Sequence, residues 1–167
     1  GDLLHCDVGV LYLRLNTDHQ ELAYVLRPGE TDVPEGLKQG MAQANRLQDI
    51  FTNAWETGLS GNAILARALK HAHNANINTP RIYSHSLGHF LHEPGPLIGL
   101  PWEQEAIPGR GDVTMNLNTC YTVELSADLP VPEWDNQIVR FMLEQDACIT
   151  ETSVTYIDGR QTTFHLI

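Results

Sequence analysis

The chain has 167 residues, 42% of them apolar and 19% charged, with a formal net charge of -11. That length suits one domain with a real core. The acidity argues against a nucleic-acid surface, which needs clustered Lys and Arg, and no run of about 18 apolar residues offers a transmembrane helix.

Residues 3–15 are mostly apolar and read as strand. Asp7 and Asp18 are eleven apart, which in one continuous strand is about 36 Å. For the two to share a site, the chain must reverse between about Val10 and Asn16, although no Asn-Gly or Asp-Gly marks that reversal. Residues 21–27 continue the second arm, and Pro28-Gly29 ends it. Asp32-Val-Pro-Glu predicts a helix start, with Asp32 as N-cap candidate. Leu37, Met41, Ala44, Leu47, Phe51 and Trp55 then form one apolar stripe of a helix ending near Gly58. Ser60 can cap a second helix, with Ile64, Leu65, Ala68, Leu69 and Ala72 inward and His71 and His73 at the surface.

Thr79-Pro80 breaks to a strand, Arg81-Ile-Tyr-Ser, which delivers His85. Residues 94–112 are rich in Pro and Gly and read as an ordered loop, with Trp102 a candidate for a substrate wall. Tyr121–Leu125 is a strand carrying Glu124, 129–133 a Pro-rich link, and Ile138–Ile149 a strand carrying Glu144. Asp158-Gly159 predicts a hairpin turn between 154–157 and 162–167. The order β-β-α-α-β-β-β-β, with mostly antiparallel strands, is an α+β fold. Cys6, Cys120 and Cys148 are odd in number, far apart and without a Cys-x-x-Cys pair. They predict buried thiols of a reducing compartment, neither a disulfide framework nor a zinc-cysteine site. A cytoplasmic location is expected. There is no signal-peptide pattern and no initiator Met, so the chain is expected to be the later part of a longer protein.

The chemistry concentrates at His85-Ser-Leu-Gly-His89-Phe-Leu-His92-Glu-Pro-Gly95. Neutral imidazole is the commonest protein metal ligand. Asp7, Asp18, Glu124 and Glu144 stand in apolar stretches where a lone acid would be costly. One imidazole and four carboxylates can hold a pair of divalent ions, whose charge the four acids would balance. Two such ions acidify a water and polarise a carbonyl, the two requirements of peptide hydrolysis. A carboxylate-rich set favours manganese, with cobalt, zinc or iron also possible.

The same residues, in order, resemble the pita-bread metallopeptidases: methionine aminopeptidase, aminopeptidase P and prolidase. The matching positions are Asp7 in Asp-Val-Gly, Asp18 eleven on, His85 opening His-x-x-Gly, Glu124, and Glu144 in Leu-Glu-Gln-Asp. The resemblance runs over nearly the whole chain. It implies that Asp7 chelates one metal, that Asp18 and Glu144 bridge, and that His85 and Glu124 complete the other. It also gives Glu124 the general acid/base role, and gives His92 contact with the substrate and stabilisation of the tetrahedral intermediate. The seven-residue step to His92-Glu93 and the position of Gly88 favour His85 over His89 as ligand, leaving His89 a substrate contact. A pita-bread fold, an Xaa-Pro aminopeptidase or dipeptidase activity, a peptide substrate and a homodimer are the corresponding expectations.

Three departures matter. The family's upstream helical pair and histidine have no counterpart in the six residues before Asp7. Met142 stands two before the last Glu, where prolyl-specific members often carry Arg, and Arg81 stands four before His85, where they tend to carry His. Two rivals remain at this point. A creatinase-like or non-catalytic module on the same fold would lack several ligands. A non-haem iron oxygenase built on His5-Cys-Asp7, with His165 distal, would leave Asp18, Glu124 and Glu144 unexplained.

Overall fold

The computed structural model describes residues 1–167. β1 (Leu3–Val8) and β4 (His19–Tyr24) pair antiparallel with Asp7 opposite Gln20. Between them lies the required reversal. β2 (Leu11–Tyr12) and β3 (Leu15–Asn16) close a hairpin through Leu13 and Arg14, at φ 49° and 70°. Positive φ at both central residues matches strand twist and is normally given to Asn-Gly. With Leu and Arg it costs about 1–2 kcal/mol per residue, so the hairpin must be held from outside. Asn16 does this: its backbone N–H donates to Gly88 O (2.8 Å), and its side-chain amide donates to the carbonyls of Gly88 (3.1 Å) and His89 (2.9 Å).

Strand alternation puts His5, Asp7, Gln20, Leu22 and Tyr24 on one face of this pair. The other face carries Leu4, Cys6 and Val8 and is open to solvent. β12 (His165–Leu166) completes this small sheet by pairing with β4 in parallel. The expected hairpin about Asp158-Gly159 is therefore not formed. Gly159 does turn the chain, at φ 82°. The Gln161 side chain then brackets Leu22, accepting from its N–H (2.8 Å) and donating to its carbonyl (2.7 Å), and so steers the last residues to the bare edge of β4.

α1 (Glu35–Asn53) buries Leu37, Met41, Ala44, Leu47 and Phe51, as their spacing requires, with Trp55 buried just past its end. Asp32 is not its cap. The helix begins two residues after the expected signal, behind Pro34, which has no side-chain acceptor. Glu133 supplies one from across the fold, accepting the Gly36 N–H at 3.1 Å, while Asp32 accepts from Val33 N and Lys38 Nζ. α2 (Gly61–Asn74) is capped as predicted by Ser60, whose Oγ accepts the Ala63 N–H at 3.2 Å. His71 and His73 are exposed.

The main sheet runs in the order β11 (Val154–Tyr156), β10 (Asp146–Ile149), β7 (Thr119–Thr122), β5 (Arg81–Leu87), β8 (Glu124–Val131), β9 (Gln137–Leu143), with β6 (Glu93–Ile98) also on β5. Ile82, Leu125, Ala127, Phe141 and Leu143 join the core with the helices. At Gly40 a Cβ would lie 2.0 Å from the Phe141 ring, so α1 approaches β9 as closely as glycine allows. By alternation Tyr83, Glu124 and Met142 face away from the helices.

Three sequence expectations change here. The stretch 94–112 is not all loop, because Glu93–Ile98 forms β6 despite Pro94 and Pro96. The 129–133 link is largely strand, since β8 runs through Pro130 to Val131. Both prolines-in-strand cases sit where one side is unpaired, so no N–H is missed. The strand expected at 138–149 is interrupted at Glu144-Gln145, where β4 docks: Gln20 N donates to Glu144 O (3.0 Å) and Glu144 N to Gln20 O (3.1 Å). The cysteines also differ from expectation. Cys6 is exposed, and Cys120 and Cys148 are half-buried opposite each other on β7 and β10. Burial pushes the Cys120 thiol up to about 11.

Candidate metal centre

The break between β9 and β10 brings six metal-binding side chains together on the face away from the helices. Their ligand atoms form overlapping groups, each with all atoms within 4.8 Å: Asp7, Asp18 and Glu144; His85, Glu124 and Glu144; and Asp18, His85 and His92. Each of the five expected ligands is in at least one group, and Asp18, His85 and Glu144 each belong to two. His89 is in none; its Nδ1 lies 2.9 Å from Arg14 O, at the hairpin. His5 and His165 are not with Asp7 either. His5 Nε2 faces Gln20 Oε1 (3.0 Å) and His165 pairs with Glu21, so a His5/Asp7/His165 iron site does not assemble.

His85 is buried, with Nδ1 3.1 Å from Ser86 O. A carbonyl only accepts, so Nδ1 carries the proton and Nε2 presents its lone pair, 3.7 Å from Asp18 Oδ2. Burial lowers the imidazole to about 4, which keeps it neutral and ligand-ready. His92 stacks on it, ring centroids 4.0 Å apart and planes 9° from parallel.

The acids are held against their own preference. Burial raises Glu124 and Glu144 most, neighbouring acids add to the rise, and the hydrogen bonds from Gln20 pull both back part of the way. Burial, then the Asp7 charge, raises Asp18. Glu144 Oε1 is buried and has no hydrogen-bond partner. An acceptor left bare in a ring of acceptors fits a cation, so this donor set suits a divalent metal.

The sign of these shifts predicts a pH dependence. A pH unit or more above 6.5, the ordinary value for His85, the imidazole is almost wholly neutral both folded and unfolded. Only the raised carboxyls then count. They hold protons in the folded chain that the unfolded chain has released, so stability falls as pH rises. The metal-free protein should melt at a lower temperature at pH 8.5 than at pH 7.5, and added divalent ion should raise the pH 8.5 value more. Thermal melts with and without chelator check this; an opposite slope would contradict the acid cluster.

Three residues escaped the sequence reading. Gln20 donates to both Glu124 and Glu144. Asp146 accepts the Asp18 N–H at 3.2 Å, seating that ligand's backbone. Tyr83 OH lies 3.4 Å from His92 Nδ1. Each stands two residues from an expected ligand, so the period of two was their signal. With Arg81, Pro101, Glu124 and Met142, Gln20 and Tyr83 line a shallow cleft beside the acids. Trp102, one residue beyond Pro101, is 75% exposed.

Solved structures share this arrangement of elements. The X-Pro aminopeptidase of Thermotoga maritima superposes with a TM-score of 0.70 at 16% identity, over 100% of this chain and 42% of that one. The prolidase of Thermococcus sibiricus gives 0.66 at 17%, over 100% of this chain and 40% of that one. The fold is the pita-bread fold. The methionine aminopeptidase of Rickettsia prowazekii shares it too, with a TM-score of 0.64 at 18% identity over 93% of this chain and 64% of that one. This chain thus spans about two fifths of the length of the Xaa-Pro peptidases that it matches. A scan against family models finds no match, and a search of curated proteins finds no significant one. No helix of the pita-bread domain is long and apolar enough to cross a membrane.

Proposed function

We propose that this chain carries the metal-binding part of an exopeptidase that removes an N-terminal residue from peptides or cleaves dipeptides, most like the Xaa-Pro branch. The observation that carries the reading is the shared carboxylate: Glu144 belongs to two donor groups, one with Asp7 and Asp18 and one with His85 and Glu124. Asp18 and His85 are shared in the same way, but a carboxylate offers two oxygens and the His85 ring only one free lone pair, so the shared acids fit bridges between two ions.

In this reading Asp7 would hold one ion, Asp18 and Glu144 would serve both, and His85 with Glu124 would hold the other. Manganese is the ion expected of four carboxylates and one imidazole. Such ions, when bound, supply Lewis-acid polarisation of the scissile carbonyl and lower the pKa of the attacking water. Glu124 takes the proton from that water and returns it to the leaving amine. His92 donates from its ring to the oxyanion as charge develops there, and His89, at the rim, meets the substrate. Met142 and Arg81 leave proline preference the open element of the proposal.

Incubating the purified protein with manganese or cobalt and matched Xaa-Pro and Met-Xaa peptides tests this. Release of the N-terminal residue only with added metal is expected, faster from Xaa-Pro. Two metal equivalents with no hydrolysis of either series would favour a binding module; no bound metal would end the proposal.

A further inference from the structure

Gln20 is 5% exposed, and both ends of its amide are engaged. Nε2 donates to Glu124 Oε1 at 3.1 Å and to Glu144 Oε2 at 2.8 Å, while Oε1 meets His5 Nε2 at 3.0 Å. Carboxylates accept, so the two glutamates require the NH2 end. A His5 ring N–H on the other end sets the same orientation. The backbone of Gln20 is bonded in both directions to Glu144 as well. One residue thus governs the place of two acids that arrive on different strands. Glu144 Oε1, the oxygen that Gln20 does not take, is the one left without a partner.

We propose that Gln20 is a positioning residue that sorts the oxygens of Glu124 and Glu144: it engages one from each and presents the other to the ions. This rests on the dinuclear reading above. Binding cations requires both carboxylates ionised, and two ionised carboxylates this close repel. An amide NH2 between them places partial positive charge there before any cation arrives, so the pair is set in its binding arrangement in advance. Without it, the acids turn apart or share a proton, and an entering ion must undo that. Loss of such a supporting hydrogen bond costs about 10–100-fold in metal affinity.

The test compares wild type with Gln20→Leu, which removes both donations at similar volume, and with Gln20→Glu, which keeps the shape and replaces the donor by an acceptor. Manganese affinity is read by calorimetry, kcat and KM with an Xaa-Pro peptide, and folding by circular dichroism. Both variants should bind manganese about 10–100-fold more weakly and lose kcat with little change in KM. A residue that only joins the two sheets would lower the melting point and leave manganese affinity unchanged, which would overturn the proposal. If both Gln20 variants fail to fold, Gln20→Asn decides: it keeps the amide but withdraws it by one methylene from Glu124 and Glu144, and wild-type manganese affinity in that protein is the overturning result. Wild type that binds no manganese sinks the metal reading itself; wild type that binds, beside unaffected variants, sinks only the role of Gln20.

Discussion

Glu144→Gln should yield a folded protein that binds no tight divalent ion and hydrolyses peptides at least about 10³-fold more slowly. The variant keeps the shape of the side chain and removes its charge. Wild-type Oε2 accepts from Gln20 Nε2 at 2.8 Å and Oε1 is bare. An amide cannot satisfy both positions. With its NH2 toward Gln20, two donors meet; with its NH2 turned the other way, a donor points where a cation belongs. Either orientation damages both groups at once, because Asp7 and Asp18 share Glu144 with His85 and Glu124. The same substitution should stabilise the metal-free protein at pH 7 and above, since it removes a buried acid that must take up a proton or hold a crowded charge on folding. Metal analysis, calorimetry and thermal melts separate these effects. Two retained equivalents in Glu144→Gln would remove the basis of the dinuclear reading.

That Glu144 could be picked out beforehand has a physical cause. An acid inside a run such as Phe-Met-Leu-Glu is costly unless something pairs it, and four such acids with one imidazole point to cations. The helices were legible for a related reason, the three-and-four spacing of Leu37 to Phe51. What escaped was whatever depends on partners distant in sequence. The turn at Leu13-Arg14 carries no turn chemistry of its own and is held by Asn16 against Gly88 and His89. α1 borrows its acceptor from Glu133. The last strand goes to β4 because Gln161 ties the chain to Leu22. β6 hid behind two prolines that a one-sided strand tolerates. Gln20 was hidden because an amide reads as an ordinary polar residue until its two glutamates are seen around it.

His92→Ala should lower kcat by about 10²–10³-fold while the bound metal stays at the wild-type amount. The ring lies flat on His85 at 4.0 Å, so the buried ligand fixes its plane. Its exposure leaves it at the open side of the cluster, where a peptide carbonyl would arrive. Tyr83 OH, 3.4 Å from Nδ1, can donate to that nitrogen. The ring proton then resides on Nε2, which becomes a hydrogen-bond donor for a developing oxyanion. A donor matters most when the negative charge forms, so the loss belongs in kcat rather than KM. Tyr83→Phe should show a smaller loss of the same kind, because the ring keeps its stacking and loses only the preference for one tautomer. The competing possibility is specific: His92 forms a donor group with Asp18 and His85, so it could be a ligand instead. Metal content decides between them. If His92→Ala sheds an ion as well as activity, the ring holds metal; if the ions stay and kcat alone falls, the ring acts on the substrate.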